Sequence, residues 1–212
     1  MKNQILLLFC ILASTLTLSS QDLESIKLPE PNLKRGVPLM QAFSQRASSK
    51  DFKSENMKLE DISDLLWAAN GINRPGDGKR TSPSAQNAQD IDIYVFLKKG
   101  VFIYNADEHQ LDAIKAGDYR SFIAGRQKDV SSAALMLLLV SDISRFKFGE
   151  EHLRKEWGAM DAGIVSQNIS LFCASEGFAN RPRASMDDEK LIELLNLTES
   201  QYLMMNNVIS YK

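Results

Sequence analysis

Histidine and cysteine are scarce in this 212-residue chain, with two of each. His109 and His152 stand apart and no cysteine pair has metal-ligand spacing, so neither a zinc centre nor any other metal ligand is expected. Cys10 lies inside an N-terminal apolar run, which leaves Cys173 as the one thiol of a processed chain and excludes an internal disulfide. A surplus of positive charge is also missing. Lys and Arg number 25 against 27 Asp and Glu, for a formal net charge of −2, and no concentrated basic face emerges of the kind that nucleic-acid phosphates require. No apolar run reaches the about 20 residues that cross a bilayer, so no stable membrane anchor is expected. Internal repeats and low-complexity tracts are absent as well. What remains is an ordinary globular composition, 44% hydrophobic and 25% charged, long enough for one domain with a full core.

The N-terminus has the layout of a secretory signal peptide: Lys2, the apolar run Ile5 to Ala13, small residues up to Ser19 and Ser20, then charge from Asp22. Residues 1–20 are therefore expected to be removed near Ser20–Gln21 and the protein exported, to the periplasm. Leu8 and Phe9 before Cys10 do not suit lipoprotein processing. Residues 21–37, polar and flanked by Pro29, Pro31 and Pro38, read as an N-terminal arm, and residues 38–212 as the domain.

Within the domain, Pro38 to Ala47 reads as a short helix with Leu39, Met40 and Phe43 on one side and Arg46 at its C-terminal end. Lys58 to Asn70 is an amphipathic helix: Leu59, Ile62, Leu65, Leu66 and Ala69 recur at helical spacing, Glu60, Asp61 and Asp64 take the other face, and Gly71 stops it. Ile91–Leu97 and Val101–Tyr104 read as two strands joined through Lys98, Lys99 and Gly100. A helix containing Leu111, Ile114 and Phe122–Ile123 is expected next. Ala133–Val140 is a continuous apolar run that suits a central strand. Helix is expected over 150–176, as two helices, with Asp161–Ser175 buried in the centre. A helix over Asp187–Leu195 and a terminal strand over Leu203–Tyr211 complete an α+β pattern.

The stretch Gly78 to Phe96, GKRTSPSAQNAQDIDIYVF, gathers short polar side chains where a buried strand begins. Taken alone it reads as a solvated connection or as a binding loop. Its PSAQNAQ segment resembles the P-S-x-x-N-x-Q loop of the flavin-dependent nitroreductase family. LLWAANGINRPGDGKR (Leu65 to Arg80) resembles a block of that family's branch related to thiazoline and oxazoline oxidases. RASSKDF (Arg46 to Phe52) resembles the family's R-x-S-x-R/K-x-F flavin loop, and GIVSQNISLFCASEGF (Gly163 to Phe178) adds to the match.

The resemblance implies a three-layer α+β fold, a mixed, mainly antiparallel sheet flanked by helices, in an intertwined homodimer that binds FMN. It implies that Arg46, Ala47, Ser48 and Lys50 hold the cofactor, Arg46 at the phosphate and Lys50 at the edge that becomes anionic on reduction. Ala47 departs from the basic residue or histidine common there. Pro83, Ser84 and Asn87 match positions that reach the flavin of the other subunit. Pro182 and Arg183, in ANRPRASMD, match a loop beside the flavin's reactive face, with Ser185 where glycine is commoner, and Lys212 is a candidate at the phosphate. No catalytic acid or base is assigned, because the flavin itself carries the hydride. His109 and His152 read as structural or surface residues, and Trp67, Tyr119 and Trp157 as packing residues.

The implied function is FMN-dependent hydride transfer from a reduced donor such as NAD(P)H to a small electron-poor acceptor, a nitroaromatic or quinone. Two alternatives stand beside it. One is a flavin-dependent dehydrogenase or oxidase of azoline-type rings. The other is an exported binding protein that keeps the fold without the cofactor.

Overall fold

The computed structural model describes residues 23–212, so the signal peptide expected over 1–20 and the first two residues of the arm lie outside the described residues. The two most apolar stretches pair in the middle of the sheet: β4 (Ile91–Leu97) runs antiparallel to β7 (Leu135–Asp142). Both are buried along almost their whole length because both of their faces are covered. Alternate residues serve opposite layers. Ile93, Val95, Leu135, Leu137 and Leu139 pack on one side, Tyr94, Phe96, Met136, Leu138 and Val140 on the other.

The remaining strands are β1 (Ile26–Lys27), β5 (Gly100–Asn105), β6 (Gln110–Ala116), β8 (Ala179–Arg183) and β9 (Gln201–Ser210). Together they make a seven-stranded sheet in the order β1-β6-β5-β4-β7-β9-β8, antiparallel at every described pairing. A separate ribbon pairs β2 (Ile72–Arg74) with β3 (Lys79–Arg80). On one face of the sheet lie α2 (Leu59–Asn70) and α4 (Glu151–Glu176), which contribute Ile62, Leu65, Leu66, Val165 and Ile169. On the other lie α3 (Arg120–Ala124) and α5 (Asp188–Leu195), with Ile123 and Leu191. The short α1 (Leu39–Gln45) packs against α4. This is the three-layer α+β arrangement expected.

Three details differ from expectation. Residues 110–116 form a strand, because the turn before them returns the chain onto β5 and a bulge steps past Ile114. Their spacing of apolar residues imitated a helix only because that bulge breaks the alternation. Residues 151–176 form one helix rather than two: no proline interrupts it, and it stops at Gly177, whose φ of 72° is left-handed. Asp61 and Asp64, placed by periodicity on the solvent face of α2, are buried, because residues 28–37 of the arm lie across that face. Among the described residues no helix is long and apolar enough to cross a membrane.

Gly158 lets α4 rest on β7. A Cβ there would lie 2.3 Å from Ser141 Oγ and 2.9 Å from Ser141 Cβ. The serine hydroxyl is committed to Asp90, so it has no free rotation. Gly158→Ala is therefore expected to destabilise the protein by about 2 kcal/mol, overpacking outweighing the ~1 kcal/mol helix-propensity gain. A chemical denaturation midpoint equal to that of the parent would contradict this.

Candidate functional site

The Arg46–Lys50 loop leaves α1 at Arg46, whose φ of −60° and ψ of 120° are extended. Ser49 fixes the loop to β8, its N–H donating to Asn180 O at 2.8 Å and its Oγ accepting from Asn180 N at 3.2 Å. Behind Asn180 runs a buried chain of amides and hydroxyls through Asn207, Ser166 and Ser170. Arg181 adds a clamp, donating to Ser49 O and Lys50 O, each at 2.7 Å. The loop's carbonyls are thus turned toward the protein. The side chains of Arg46, Ser48 and Lys50 are left at the surface, and neither Arg46 nor Lys50 meets a carboxylate among the described residues. Ala47 is exposed beside them.

The C-terminus closes on the same place. Lys53 holds both ends, its N–H donating to Ser210 Oγ at 3.0 Å and its ammonium to Lys212 O. A hollow of about 350 Å³ results, lined by Ser49, Lys50, Asp51, Phe52, Lys53, Ala179, Tyr211 and Lys212. Cationic side chains with a hydroxyl at a concave surface suit an anion such as a phosphate monoester.

Pro83, Ser84 and Asn87 lie elsewhere, on a loop between β3 and β4 that is strained and tightly held. Gln86, Asn87 and Gln89 have φ of 57°, 54° and 50°, a left-handed conformation that residues other than glycine adopt only when their surroundings enforce it. The enforcement is visible. Gln86 Oε1 accepts from Lys147 N at 2.9 Å, Gln86 Nε2 donates to Phe148 O at 3.1 Å, and Ser84 Oγ accepts from Gln89 N at 2.8 Å. Arg80 Nε donates to Gln89 Oε1 at 3.1 Å, and Ala85 N to Asp161 Oδ2 on α4 at 2.8 Å. Asn87 and Pro83 are left exposed at the tip.

Pro182 lies in β8, at the edge of the sheet, where its missing N–H breaks no ladder. Arg183 is buried and occupied: Nε donates to Gln127 Oε1 at 2.7 Å, Nη1 to Ile123 O at 3.1 Å and Asn206 Oδ1 at 3.0 Å, Nη2 to Ala124 O at 3.0 Å. It ties the end of α3 to the sheet, and burial lowers its pKa. Ser185 is exposed, with its carbonyl accepting from Asn206 Nδ2 at 3.2 Å. The structure therefore brings Lys50 and Lys212 together at the end of the Arg46–Lys50 loop. It sets Pro83, Ser84 and Asn87 apart on the second loop, and buries Arg183 against the end of α3.

The two loops hang from different parts of α4, the second from Asp161 and the first through Ser170. By helical rise these anchors are roughly 14 Å apart. His109 takes a structural place, hydrogen-bonded to Ser63 at 2.7 Å and Tyr104 at 2.9 Å, with burial lowering its pKa. Trp157 packs between Phe146 and Phe148, and Tyr119 on Phe122. No cluster of three or more His, Cys, Asp or Glu side chains suited to a metal occurs among the described residues. Sequence reasoning missed the groups that position the loops: Arg181, Asn180, Lys53 and Asp161. Only Asp161 gave a signal, as an acid on a helix read as buried.

The chain thus has an α+β sheet covered on both faces, an open basic loop after its first helix and a strained polar loop before its fourth strand. The chain belongs to the nitroreductase family, whose model matches residues 43–208. A solved structure from Ralstonia eutropha JMP134, described as a nitroreductase, superposes with a TM-score of 0.83 at 34% identity over 89% of each chain. Two others share the fold. The E. coli microcin synthetase McbBCD complex with truncated pro-MccB17 gives a TM-score of 0.70 at 16% identity over 99% of this chain and 85% of that one. A nitroreductase-type protein of Desulfovibrio desulfuricans in complex with FMN gives 0.59 at 16% identity over 82% and 86%. No curated protein matches the chain.

Proposed function

We propose that this chain is an FMN-dependent oxidoreductase that works as a homodimer, passing hydride from a reduced donor such as NAD(P)H to a small electron-poor acceptor, a nitroaromatic or quinone. The observation that carries the reading is the open basic loop. In a chain of the nitroreductase family, Arg46, Ser48 and Lys50 stand at the surface, the two cations without a carboxylate partner among the described residues, and Lys50 lines a hollow together with Lys212. These residues fit a flavin phosphate and an anionic ring edge. When bound, FMN supplies the hydride-accepting and hydride-donating chemistry. Arg46 with Ser48 would hold the phosphate, Lys212 would add positive charge, and Lys50 would face the pyrimidine edge and favour its negative charge.

A second chain is supported by unspent apolar surface. α1 buries only Ala42, while Leu39, Met40 and Phe43 are 62%, 77% and 49% exposed. On α4, Met160 is 63% and Ile164 36% exposed, and beside them Gly163 has nothing within 4 Å of a would-be Cβ, so another backbone could approach. Exposed apolar side chains on two helices that pack together suit a surface covered by a second chain. Pairing two chains over α1 and α4 would also unite the separated loops, Asn87 of one chain supplying amide donor and acceptor to the flavin of its partner.

The test is an absorbance spectrum of the mature protein, residues 21–212, after incubation with FMN and desalting, with its mass measured in solution. Flavin retained at about one per subunit in a dimer is the expected result. A colourless dimer would overturn the enzyme reading in favour of a binding protein, and a monomer that retains FMN would overturn the shared site.

A further inference from the structure

Asp90 and Asp161 are buried at 0% and 4% exposure, and the Ser141 hydroxyl that bonds Asp90 lies against Gly158, one helical turn before Asp161 on α4, so the two carboxyl groups are neighbours. Asp90 Oδ2 accepts from Ser141 Oγ on β7, whereas Asp90 Oδ1 has no hydrogen-bond partner among the described residues. Asp161 Oδ2 accepts from Ala85 N. Ionised carboxylates only accept, so two of them in contact would leave Asp90 Oδ1 unsatisfied and two like charges buried side by side. One proton resolves both problems: a protonated Asp161 donates to Asp90 Oδ1 while still accepting from Ala85. The adjoining hollow, lined by Ser84, Gln89 and Asp161 among others, is about 10 Å³, too small for a hydrated cation to take the proton's place.

The surrounding charges do not remove the need for it. Arg145 is spent on Asp92 at 2.6 Å and Gln89 O at 3.0 Å, with Asp142 beside it. Arg80, on β3, is directed at Gln89. α4 presents Gly158 and β9 presents Met204, neither charged. Burial, followed by the contact with Asp90, pushes the Asp161 carboxyl up to about 7.

We propose that Asp161 is a positioning residue: one proton shared with Asp90 lets the two carboxyl groups lie together and keeps the left-handed Gln86–Gln89 segment against α4, and loss of that proton as the pH rises to neutrality sets two buried carboxylates against each other and loosens the loop. That this loop serves a flavin rests on the function proposed above; the shared proton does not. The sign follows from the raised value. The folded chain keeps a proton that the unfolded chain gives up near pH 4. The stabilisation is whole below about pH 4, declines as pH rises towards 7 and is gone above it.

The test compares the parent with Asp161→Asn, whose amide still accepts from Ala85 N–H and donates to Asp90 but cannot ionise. Between pH 5 and 7 the parent's unfolding constant should rise about tenfold per pH unit relative to the variant's. Between pH 5 and 7 the protection of the Ala85 amide, corrected for intrinsic exchange, should fall with rising pH in the parent and level off above pH 7, and stay level throughout in the variant. Equal pH slopes in the two proteins would overturn the proposal. Should the variant not fold, infrared spectra of the aspartate-labelled parent decide: a protonated carboxyl band at pH 5 that disappears near pH 7 supports the shared proton, and its absence at pH 5 overturns it. No readout uses flavin. A chain that retains no FMN yet shows these shifts keeps its shared proton and loses only the cofactor reading.

Discussion

Arg35→Ala is expected to destabilise the protein by about 3 kcal/mol or more. Arg35 sits among three carboxylates, donating to Asp61 at 2.8 Å, to Asp64 at 2.7 Å and to Glu176, and its guanidinium lies 5.6 Å from the Phe172 ring. Its side chain is 21% exposed and those of its partners 13%, 6% and 12%, so solvent screens the cluster poorly. Burial acts to lower its pKa, but the hydrogen bonds to Glu176, Asp64 and Asp61 outweigh this and raise it. Without the arginine, three negative groups on α2 and α4 would face one another, and Glu176 Oε1 already lacks a hydrogen-bond partner among the described residues. Urea denaturation measures the effect. Arg35→Lys should recover only part of the loss, because an ammonium cannot reach three carboxylates as a planar fork does. If Arg35→Ala unfolds at the parent's midpoint, the Arg35 ion cluster contributes nothing to stability.

The double substitution Arg46→Ala, Lys50→Ala is expected to weaken FMN binding about 100-fold or more, while leaving the thermal transition where it is. Charge-assisted hydrogen bonds contribute about 1.5–3 kcal/mol each, and a factor of ten in affinity needs 1.4. Stability should not follow, since both side chains are exposed and unpaired with any carboxylate among the described residues. The loop itself is kept by Ser49 and Arg181, which the substitutions do not touch. Titration of apoprotein with FMN, followed by flavin fluorescence, reads the affinity. Lys50→Ala alone separates the two roles: it should lower the flavin's midpoint potential, because the reduced, anionic ring loses more than the oxidised one. An unchanged potential would confine Lys50 to binding.

The sequence by itself determined the layers and most of the elements. Apolar alternation and the uninterrupted run of β7 are local properties that need no knowledge of neighbours, so β4, β7, α2 and α5 could be read directly. The order of short motifs likewise pointed to the family and to the Arg46–Lys50 and Pro83–Asn87 loops. Tertiary structure decided what each polar residue does. Asp61 and Asp64 look like a solvated helix face until the arm brings Arg35 across it. Arg183, read as a site residue from its motif, is surrounded by the carbonyls at the end of α3. Asp161 comes beside Asp90, far away in the sequence, only because α4 crosses the sheet beside β4. Hydrophobic burial depends on the pattern within a segment, whereas the fate of a charge depends on which distant donor or acceptor the fold places within hydrogen-bond reach.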